Sequence, residues 1–529
     1  MGEGGQDTRW DFVIVGSGFG GSVSALRLCE KGYRVLMLEK GRRLRAEDFP
    51  DSNWNLKRWL WLPQLGFRGL FKMTFLPNVT VLSGVGVGGG SLVYANTLPI
   101  PKDDYFEAPS WRHLAEWKRE LMPHYERALK MLGATENPTW TYADRVIERL
   151  AERIGRKEHH HPTKVAVYFG EPGTTVPDPY HGGEGPERTG CILCGGCMLG
   201  CKHGAKNTLD HNYLYLAERR GLTIEADSEV VDLIPEDGGW EVVVRHGARL
   251  FGRETRRYHA RKVILSGGVL GTVPLLLKLK ENGRLPALSD RLGAFVRTNS
   301  EMLMGVTTQR RDVDVSEGVA ITSILHTDDH SHLEPVRYPK GSGAFRTLMA
   351  PHAPGANVFA RVFAALGWAL RHPIRTLRAY LVPDWARYSL ILLYMRTLDG
   401  HLRMRLGRHP FTLFRRGIVT RVEDGPAPSA NVPEASRLAT LVAEEMDGFA
   451  GSLVTETLLG IPTTAHILGG CVMGRGPEEG VIDTEHRVFG AEGLYVIDGS
   501  AISANPGVNP SLSIAALAER AMTFIPPKA

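Results

Sequence analysis

The N-terminal stretch constrains the fold of this chain more strongly than any other part of the sequence. Residues 11–41 read DFVIVGSGFGGSVSALRLCEKGYRVLMLEKG, which gives a strand pattern, a glycine turn, a helix pattern and a second strand pattern. Phe12–Val15 and Val35–Leu38 are short apolar runs, as expected for buried parallel strands. The turn matches G-x-G-x-x-G in this context. The chain is therefore predicted to open with a Rossmann-like dinucleotide-binding unit of the α/β class.

Each glycine of the turn has its own role. We expect Gly16 to permit the tight turn, Gly18 to let the backbone approach a pyrophosphate, and Gly21 to let the helix pack closely on the strand. Ser17 lies inside the turn, where the helix N-terminus offers free N–H groups to phosphates. Glu39 ends the second strand and can accept a hydrogen bond from a ribose hydroxyl. This pattern alone does not separate FAD from NAD.

A second glycine-rich loop and the C-terminal region provide further candidate cofactor contacts. The loop reads GVGGGSLV over residues 86–93, and its glycines suit backbone that lies against a flat cofactor. The C-terminal region contains, in order, GGCVMG, LYVIDGSAI and GVNPSLSIAALAER. The candidates from the loop are Gly88, Gly89, Gly90 and Ser91.

The N-terminal fingerprint and these motifs, in this order, resemble the GMC (glucose–methanol–choline) flavin oxidoreductases, and within them the cholesterol oxidase branch. The resemblance covers both ends of the chain well and the middle only in islands. It implies FAD as the cofactor, with Asp498 and Gly499 near the flavin and Val230 at the adenine end. No histidine follows Ser91, where some family members attach the flavin covalently, so we expect FAD to be bound noncovalently.

The same resemblance implies a Rossmann-like FAD-binding domain joined to a second, α+β substrate domain. We assign residues 8–50, 80–110, 190–300 and 460–529 to the FAD-binding domain. Residues 51–79, 111–189 and 301–459 are assigned to the substrate-binding domain and its lid.

Three catalytic residues are also implied by the resemblance. His466 and Asn509 match the family's His/Asn pair, and histidine is the natural group to take a proton near neutral pH. Glu334 is the candidate for a carboxylate that moves a proton between ring carbons and so shifts a double bond after oxidation. The alternatives are a structural histidine, a turn asparagine before Pro510, and a solvated surface glutamate.

The implied reaction is FAD-dependent oxidation of a 3β-hydroxysterol to the 3-ketosteroid, with or without Δ5 to Δ4 isomerisation. The rival within the enzymes is a dehydrogenase of another bulky lipophilic alcohol. The rival from another class is an electron-transfer or lipid-binding flavoprotein without alcohol chemistry, which would need neither His466 nor Asn509.

A run of cysteines interrupts the flavoenzyme pattern. Its spacing, C-x2-C-x2-C-x3-C, is that of bacterial ferredoxins, and its members are Cys191, Cys194, Cys197 and Cys201. The run predicts an iron–sulfur cluster, either [4Fe–4S] on four cysteines or [3Fe–4S] on three. A zinc site and a structural loop without metal are the alternatives. With a cluster, electrons could pass to a carrier protein; without one, oxygen is the expected acceptor.

Composition limits the partners and the location. The net charge of +5 is small and dispersed in a chain of 529 residues, which argues against nucleic acid. No apolar signal segment precedes the first strand pattern, so we expect a reduced, cytoplasmic protein. Residues 54–77 and 356–383 are apolar with interleaved Lys and Arg. They predict peripheral membrane contact, with core or subunit surface as the alternative.

Overall fold

The computed structural model describes residues 9–248, 252–352, 357–398, 400–423 and 427–529. A mixed sheet forms the first layer, and the predicted α/β class is confirmed. The two strands of the N-terminal unit pair in parallel, with Val15 opposite Leu38. The parallel strands of this sheet are Thr223–Glu225, Val35–Leu38, Trp10–Val15, Glu254–Leu265 and Leu494–Val496, and it is extended by the antiparallel strands Ser228–Glu236 and Gly239–His246.

Helices cover this sheet, and almost all of their small and apolar residues are buried. Phe19–Glu30 begins directly after the glycine turn and packs against Ser511–Thr523 and Tyr213–Arg219. The other helices are Leu56–Trp59, Asp103–Phe106, Trp117–Met131, Tyr142–Arg153, Val269–Glu281, Val358–Arg371, Pro373–Tyr380, Trp385–Tyr388, Pro433–Glu445 and Val454–Leu459. Within the described ranges, no helix has the length and apolar character needed to cross a membrane.

A second, antiparallel sheet forms the other half of the molecule. Its strands, in spatial order, are Met349–Pro351, Gly448–Leu453, Met302–Thr308, Ser389–Arg396, Ser331–Val336, Ser323–Leu325 and His160–Pro162. Smaller sheets pair Val296–Arg297, His401–Gly407 and Gly417–Val422, and Thr463–Thr464, Val79–Gly84 and Phe71–Leu76. Short pairs join Thr175–Val176 to Arg188–Thr189, Trp61–Leu62 to Phe67–Arg68, and Thr135–Glu136 to Lys164–Val165.

Two apolar cores support the two sheets. One surrounds the parallel strands and includes Val13, Val263 and Leu512. The other packs helices Tyr142–Arg153 and Pro433–Glu445 on the second sheet.

Val15, Leu38 and Leu265, the last residues of three parallel strands, line one cavity together with Leu303 and Leu393 of the second sheet. The antiparallel sheet therefore lies next to the carboxyl ends of the parallel strands, where α/β folds bind their ligands. The domain boundaries given above remain a prediction.

Candidate functional site

The glycine turn forms one wall of a large cavity. Gly16 has φ of +101°, and a Cβ atom there would lie 2.4 Å from the carbonyl oxygen of Ser266. A Cβ on Gly21 would lie 2.2 Å from the carbonyl oxygen of Gly16, so the helix can approach the turn only because Gly21 has no side chain. Gly18 lines the cavity and has open space where its Cβ would be. Backbone at Gly18 can therefore meet a pyrophosphate, as the sequence predicts.

The carboxylate of Glu39 is held in place at the end of its strand. One oxygen accepts hydrogen bonds from the backbone N–H of Ser17 at 3.1 Å and from its hydroxyl at 2.8 Å. The other accepts from the N–H of Gly41 at 2.8 Å. Both Glu39 and Ser17 line the cavity. These hydrogen bonds fix the turn and the Glu39 carboxylate to each other.

Some residues of the second glycine loop line the cavity, and others form hydrogen bonds that hold the loop. Gly89 and Gly90 line the cavity, and a Cβ on Gly89 would lie 2.7 Å from the Cα of Gly18. Gly88 and Ser91 are not among the lining residues. The Ser91 hydroxyl donates to the carbonyl of Gly88 at 2.7 Å and accepts from the N–H of Leu209 at 3.0 Å. These hydrogen bonds shape the loop.

Asp498, Gly499 and Val230 also line the cavity. The carboxylate of Asp498 accepts from the N–H groups of Gly268 and Ser500, each at 2.8 Å. Burial raises the pKa of Asp498, although these hydrogen bonds act to lower it. Asp498 therefore joins the C-terminal segment to the helix that starts after Gly268, at the end of the parallel strands.

The cavity has a volume of about 560 Å³ and two chemically different ends. One end is the glycine-rich region just described. The other is an apolar chamber under the second sheet, lined by Phe71, Leu303, Ile321, Val336, Phe345, Met349, Trp385, Ile391, Leu393 and Leu453. This arrangement suits a polar dinucleotide at one end and a rigid lipophilic molecule at the other.

His466 lies in the cavity wall and is paired with Glu301. The Nδ1 atom of His466 lies 2.9 Å from Oε2 of Glu301. Glu301 is itself fixed, because it accepts from the hydroxyl of Thr464 at 2.9 Å and from the N–H of Ala465 at 3.0 Å. Burial opposes the charged form of His466, but the carboxylates of Glu301 and Glu334 outweigh it and raise its pKa. The angle at Nδ1 does not make this contact a hydrogen bond, but Nδ1 is the ring nitrogen beside the carboxylate. Nε2 is therefore the nitrogen left for a substrate.

Asn509 also lines the cavity, and it lies in front of Glu334. Its Nδ2 donates to Oε2 of Glu334 at 3.3 Å, and Glu334 has no exposed surface. Within the described residues, Oδ1 of Asn509 is buried and has no hydrogen-bond partner. The amide can therefore accept from, or donate a second N–H to, a substrate hydroxyl. Asn299 holds the loop before it, accepting from the N–H of Gly507 at 2.9 Å.

The structure brings His466 and Asn509 to the same cavity, but Glu334 is not among the lining residues. The alternative for Glu334 was a solvated surface glutamate, but Glu334 does not lie at the surface. Glu301, in contrast, lines the cavity and was not singled out from the sequence. Only its position directly before the buried strand Met302–Thr308 could have drawn attention to it.

The four cysteines line a second, smaller cavity of about 170 Å³. Cys197 is buried, whereas Cys194 is exposed. Burial raises the pKa of Cys191 to about 12 and that of Cys197 to about 11. Among the described residues, no three of these sulfur atoms lie within 4.8 Å of one another. A preformed tetrahedral zinc site would need sulfurs about 4 Å apart, given a Zn–S distance of about 2.3 Å.

Buried cations surround this cysteine cavity. The ammonium of Lys206 is buried and donates to the carbonyl of Cys197 at 2.7 Å and to that of Leu92 at 3.0 Å. Burial lowers its pKa to about 8. Arg188 and Arg337 are also fully buried nearby, and within the described chain Nη1 of Arg188 has no hydrogen-bond partner. Buried positive charge of this kind favours an anion beside it.

The two cavities are separated by a single layer of residues. Met198 lines the large cavity, while its neighbours Cys197 and Leu199 line the small one. Lys206 lies over the ring of Tyr94 at 4.8 Å, and Tyr94 lines the large cavity. The cysteine loop is therefore next to the region that the glycine motifs form.

An apolar surface lies on the helices Val358–Arg371 and Pro373–Tyr380. Its members are each more than half exposed: Phe359, Phe363, Leu366, Leu370, Ile374, Leu377 and Leu381. The helix Val358–Arg371 packs against the strand Met349–Pro351, whose Met349 lines the chamber. Ala356 and the side chains of Arg375 and Arg378 lie outside the described residues.

Comparisons with known proteins identify the family of this chain. Models of the GMC oxidoreductase family match residues 186–280 and 427–518, and a model of NAD(P)-binding Rossmann-like domains matches residues 14–75. A protein named cholesterol oxidase from Acinetobacter baumannii is 44% identical over 98% of this chain and 95% of its own length. One of the same name from Mycobacterium tuberculosis is 46% identical over 98% of this chain and 91% of its own.

More distant proteins share the fold. A 2-methyl-1,2-propanediol dehydrogenase from Mycolicibacterium austroafricanum is 22% identical over 97% of this chain and 95% of its own. The crystal structure of pyridoxine 4-oxidase from Mesorbium loti superposes with a TM-score of 0.61 at 16% identity. That match covers 98% of this chain and 99% of the other, and it supports the fold alone.

Proposed function

The chain belongs to the GMC oxidoreductase family and is an FAD-dependent alcohol oxidoreductase, and from this premise we propose that it oxidises a 3β-hydroxysterol to the 3-ketosteroid. One observation carries the proposal: His466 and Asn509 lie in the wall of one cavity that joins a glycine-rich end to an apolar chamber. The names of the two relatives that are 44% and 46% identical support the choice of sterol.

The residues of the glycine-rich end fit FAD. Backbone at Gly18 is open to the cavity, while Gly16 and Gly21 leave no room for a side chain. Ser17 and Gly41 hold the carboxylate of Glu39, which supports its proposed role as the partner of a ribose hydroxyl. FAD, when bound, supplies the acceptor for a hydride. We propose that it is held noncovalently, with Asp498, Gly499 and Val230 near it.

Side chains of the protein orient the alcohol and remove its hydroxyl proton. Nε2 of His466 takes the hydroxyl proton, because Nδ1 lies beside Glu301. Asn509 orients the oxygen through its unpartnered Oδ1 or its second N–H. The apolar chamber excludes water and positions the ring system. Two carboxylates near His466 stabilise the protonated imidazole that results.

The product identifies the substrate class. Purified enzyme is incubated with cholesterol and the products are separated by mass spectrometry with ketosteroid standards. We expect a 3-ketosteroid from wild type, and from His466→Gln we expect its formation to be slower by about 10²-fold or more. A wild-type enzyme that converts long-chain or terpenoid alcohols but no sterol would favour the rival dehydrogenase. Conversion of no alcohol at all would favour a flavoprotein without alcohol chemistry.

We further propose that Glu334 is the base that moves the double bond. Its full burial and its contact with Asn509 support a role next to the reaction. Because Asn509 lies between Glu334 and the cavity, the carboxylate reaches a ring carbon only when the Asn509 side chain moves aside. Glu334→Gln should stop at the unconjugated ketone, and conjugated enone from that variant would contradict the role.

Our second proposal is that the cysteine cavity binds an iron–sulfur cluster. Cys191, Cys194, Cys197 and Cys201 would hold it, as four ligands or as three. A cluster with its thiolates is anionic, and it would offset the buried charges of Lys206, Arg188 and Arg337. When bound, a cluster transfers single electrons. Iron and sulfide measured per flavin, with electron paramagnetic resonance, test this, and flavin without iron would favour a structural loop.

The electron acceptor is then either oxygen or a carrier protein. The relatives named oxidase favour oxygen, while the thin layer between the two cavities favours a carrier. Hydrogen peroxide measured against ketosteroid decides between them. A ratio of one to one supports oxygen, and turnover without oxygen in the presence of a one-electron dye supports a carrier.

Finally, we propose that the apolar helical surface lies on a membrane from which the sterol is taken. Exposed phenylalanine and leucine side chains on Val358–Arg371 and Pro373–Tyr380 would enter the interface. Their contact with the strand Met349–Pro351 puts that interface beside the apolar chamber. The arginines between residues 356 and 383 would favour anionic lipid.

A further inference from the structure

A row of histidines leads from the reaction site to the edge of the second sheet. It starts at Glu334, which lies behind Asn509, and continues through His332 and His326 to His161. These residues belong to three neighbouring elements: the strand Ser331–Val336, the turn after Ser323–Leu325, and the edge strand His160–Pro162.

The spacing along this row is close at every step. Nε2 of His332 lies 3.2 Å from Oε1 of Glu334, and both side chains are buried on the same face of their strand. The rings of His332 and His326 are 5.9 Å apart between centroids, and those of His326 and His161 are 5.4 Å apart. His161 is exposed to solvent. The last two steps each need one ring rotation or one bridging water molecule.

The chemistry of the middle member suits proton transfer. Burial, aided by the neighbouring cations, lowers the pKa of His326 to about 3, so this imidazole is neutral at ordinary pH. A neutral imidazole carries one donor and one acceptor nitrogen and can take a proton on one side and release it on the other. Within the described residues, Nδ1 of His326 is buried and has no partner. The charged and titratable groups facing His326 are His332, Lys102, His161 and His159.

We propose that Glu334, His332, His326 and His161 form a proton path from the sterol-binding cavity to solvent. The inference rests on the proposed function. Oxidation of an alcohol breaks its C–H and O–H bonds; the electron pair leaves with the hydrogen of the C–H bond as hydride to the flavin, and the O–H proton passes to His466. With oxygen as the acceptor this proton ends in hydrogen peroxide, whereas in the absence of oxygen, or with a one-electron carrier, it is free to pass from the cavity to solvent. Glu334 is close enough to His466 to raise the pKa of its ring, and it accepts from Asn509, which lines the cavity, so it is the member of the row next to the cavity wall.

A structural role is the alternative, since paired histidines also pack well inside sheets. The two roles differ in what the removal of a ring should do. Loss of packing should lower stability and leave the timing of proton release unchanged. Loss of a path should delay proton release and leave the preceding hydride transfer nearly unchanged.

The test is anaerobic stopped-flow mixing of the FAD-loaded enzyme with cholesterol in weak buffer with a pH-indicator dye. Flavin bleaching and proton release are followed together. In wild type the two should coincide. In His332→Gln and in His326→Leu, proton release should lag bleaching by about tenfold or more and recover with added imidazole. His330→Asn is the matched control, because His330 lies on the same turn but pairs with Asp104 at the surface.

Two other results have separate meanings. If both variants bleach and release protons together, as wild type does, the proton path is wrong. If cholesterol does not bleach even wild type, the proposed substrate is wrong. The path is then tested by photochemical flavin reduction, which takes up a proton from solvent. Delayed proton uptake in the two variants would support the path, and unchanged uptake would overturn it.

Discussion

Oε2 of Glu301 lies 2.9 Å from Nδ1 of His466 in the wall of the cavity that joins the glycine-rich region to the apolar chamber. Glu301 is fully buried and is held by Thr464 and Ala465, so the carboxylate cannot move away from the ring. In the proposed mechanism this pair leaves Nε2 of His466 for the substrate, and it would stabilise the imidazolium that forms when the substrate hydroxyl loses its proton.

Replacing Glu301 should therefore change the pH dependence of the reaction. The charges of Glu301 and Glu334 raise the pKa of His466 against the effect of burial. A base works when it is unprotonated, so kcat/KM should rise as pH increases through this pKa. Glu301→Gln removes one charge, lowers the pKa and should move the acidic limb to lower pH, with kcat reduced about 10²-fold. An acidic limb that stays in place would mean that another group is the base.

Asn509→Ala should slow flavin reduction more than it weakens sterol binding. The amide orients the hydroxyl, whereas the chamber supplies most of the contact with the ring system. The expected result is a kcat lower by about 10- to 100-fold with KM nearly unchanged. Asn505→Ala is the control, because Asn505 lies in the same loop and donates to the carbonyl of Leu398 at 2.8 Å. A loss mainly in KM would contradict an orienting role.

Substitution of two glycines of the N-terminal turn should affect FAD affinity and protein stability separately. A Cβ on Gly20 would lie 1.9 Å from the carbonyl oxygen of Ile497, so Gly20→Ala should destabilise the protein by about 3 kcal/mol or more. A Cβ on Gly18 meets no atom within 4 Å, so Gly18→Ala should keep the fold and lose FAD affinity. Thermal unfolding of FAD-free protein and flavin titration measure the two effects. Equal loss of stability in both variants would be inconsistent with this account.

Lys206→Met should alter an iron–sulfur cluster without removing a ligand. Removing a buried positive charge destabilises the more negative, reduced cluster, so the reduction potential should fall. Lys202→Met is the matched control, because Lys202 also lines the cysteine cavity but pairs with Asp51 near the surface. Redox titration followed by electron paramagnetic resonance gives both values. Equal shifts in the two variants would show that burial of Lys206 has no special effect.

Charge placed on the apolar helical surface should weaken membrane binding. Phe363 and Leu370 are 70% and 72% exposed, so Phe363→Glu with Leu370→Glu should cost little stability. Co-sedimentation with anionic vesicles should fall several-fold. Phe414→Glu is the control, since Phe414 is 69% exposed and lies outside this surface. Unchanged binding in the double variant would place the contact elsewhere on the protein.

The sequence predicted the parts of this molecule that depend on local pattern. The turn at Gly16 and Gly18 sits between two strands whose apolar runs are short and continuous, and each glycine has a local steric reason. The family motifs placed His466 and Asn509, which line one cavity. Glu301 was missed because a glutamate next to a turn usually lies on the surface, and its partner His466 is distant in the chain.

The other omissions have the same origin. Gly88 and Ser91 remain predicted cofactor contacts, and the hydrogen bond between them, which shapes the loop, could not be read from the sequence. His332 and His326 lie on or directly after consecutive paired strands, but His161 joins their row only because the distant strand His160–Pro162 pairs with Ser323–Leu325. No local pattern encodes such an alignment, since register between distant strands is set by the packing of the whole sheet.

The central claim is that His466 takes the proton of a sterol 3β-hydroxyl while the flavin is reduced. The most direct test is the absorbance of the FAD-loaded enzyme after anaerobic mixing with cholesterol, with its 3α epimer as control. We predict that cholesterol bleaches the flavin, that the epimer does not, and that His466→Gln slows bleaching about 10²-fold or more. A flavin that stays oxidised with cholesterol, or that bleaches equally fast in His466→Gln, would contradict the account.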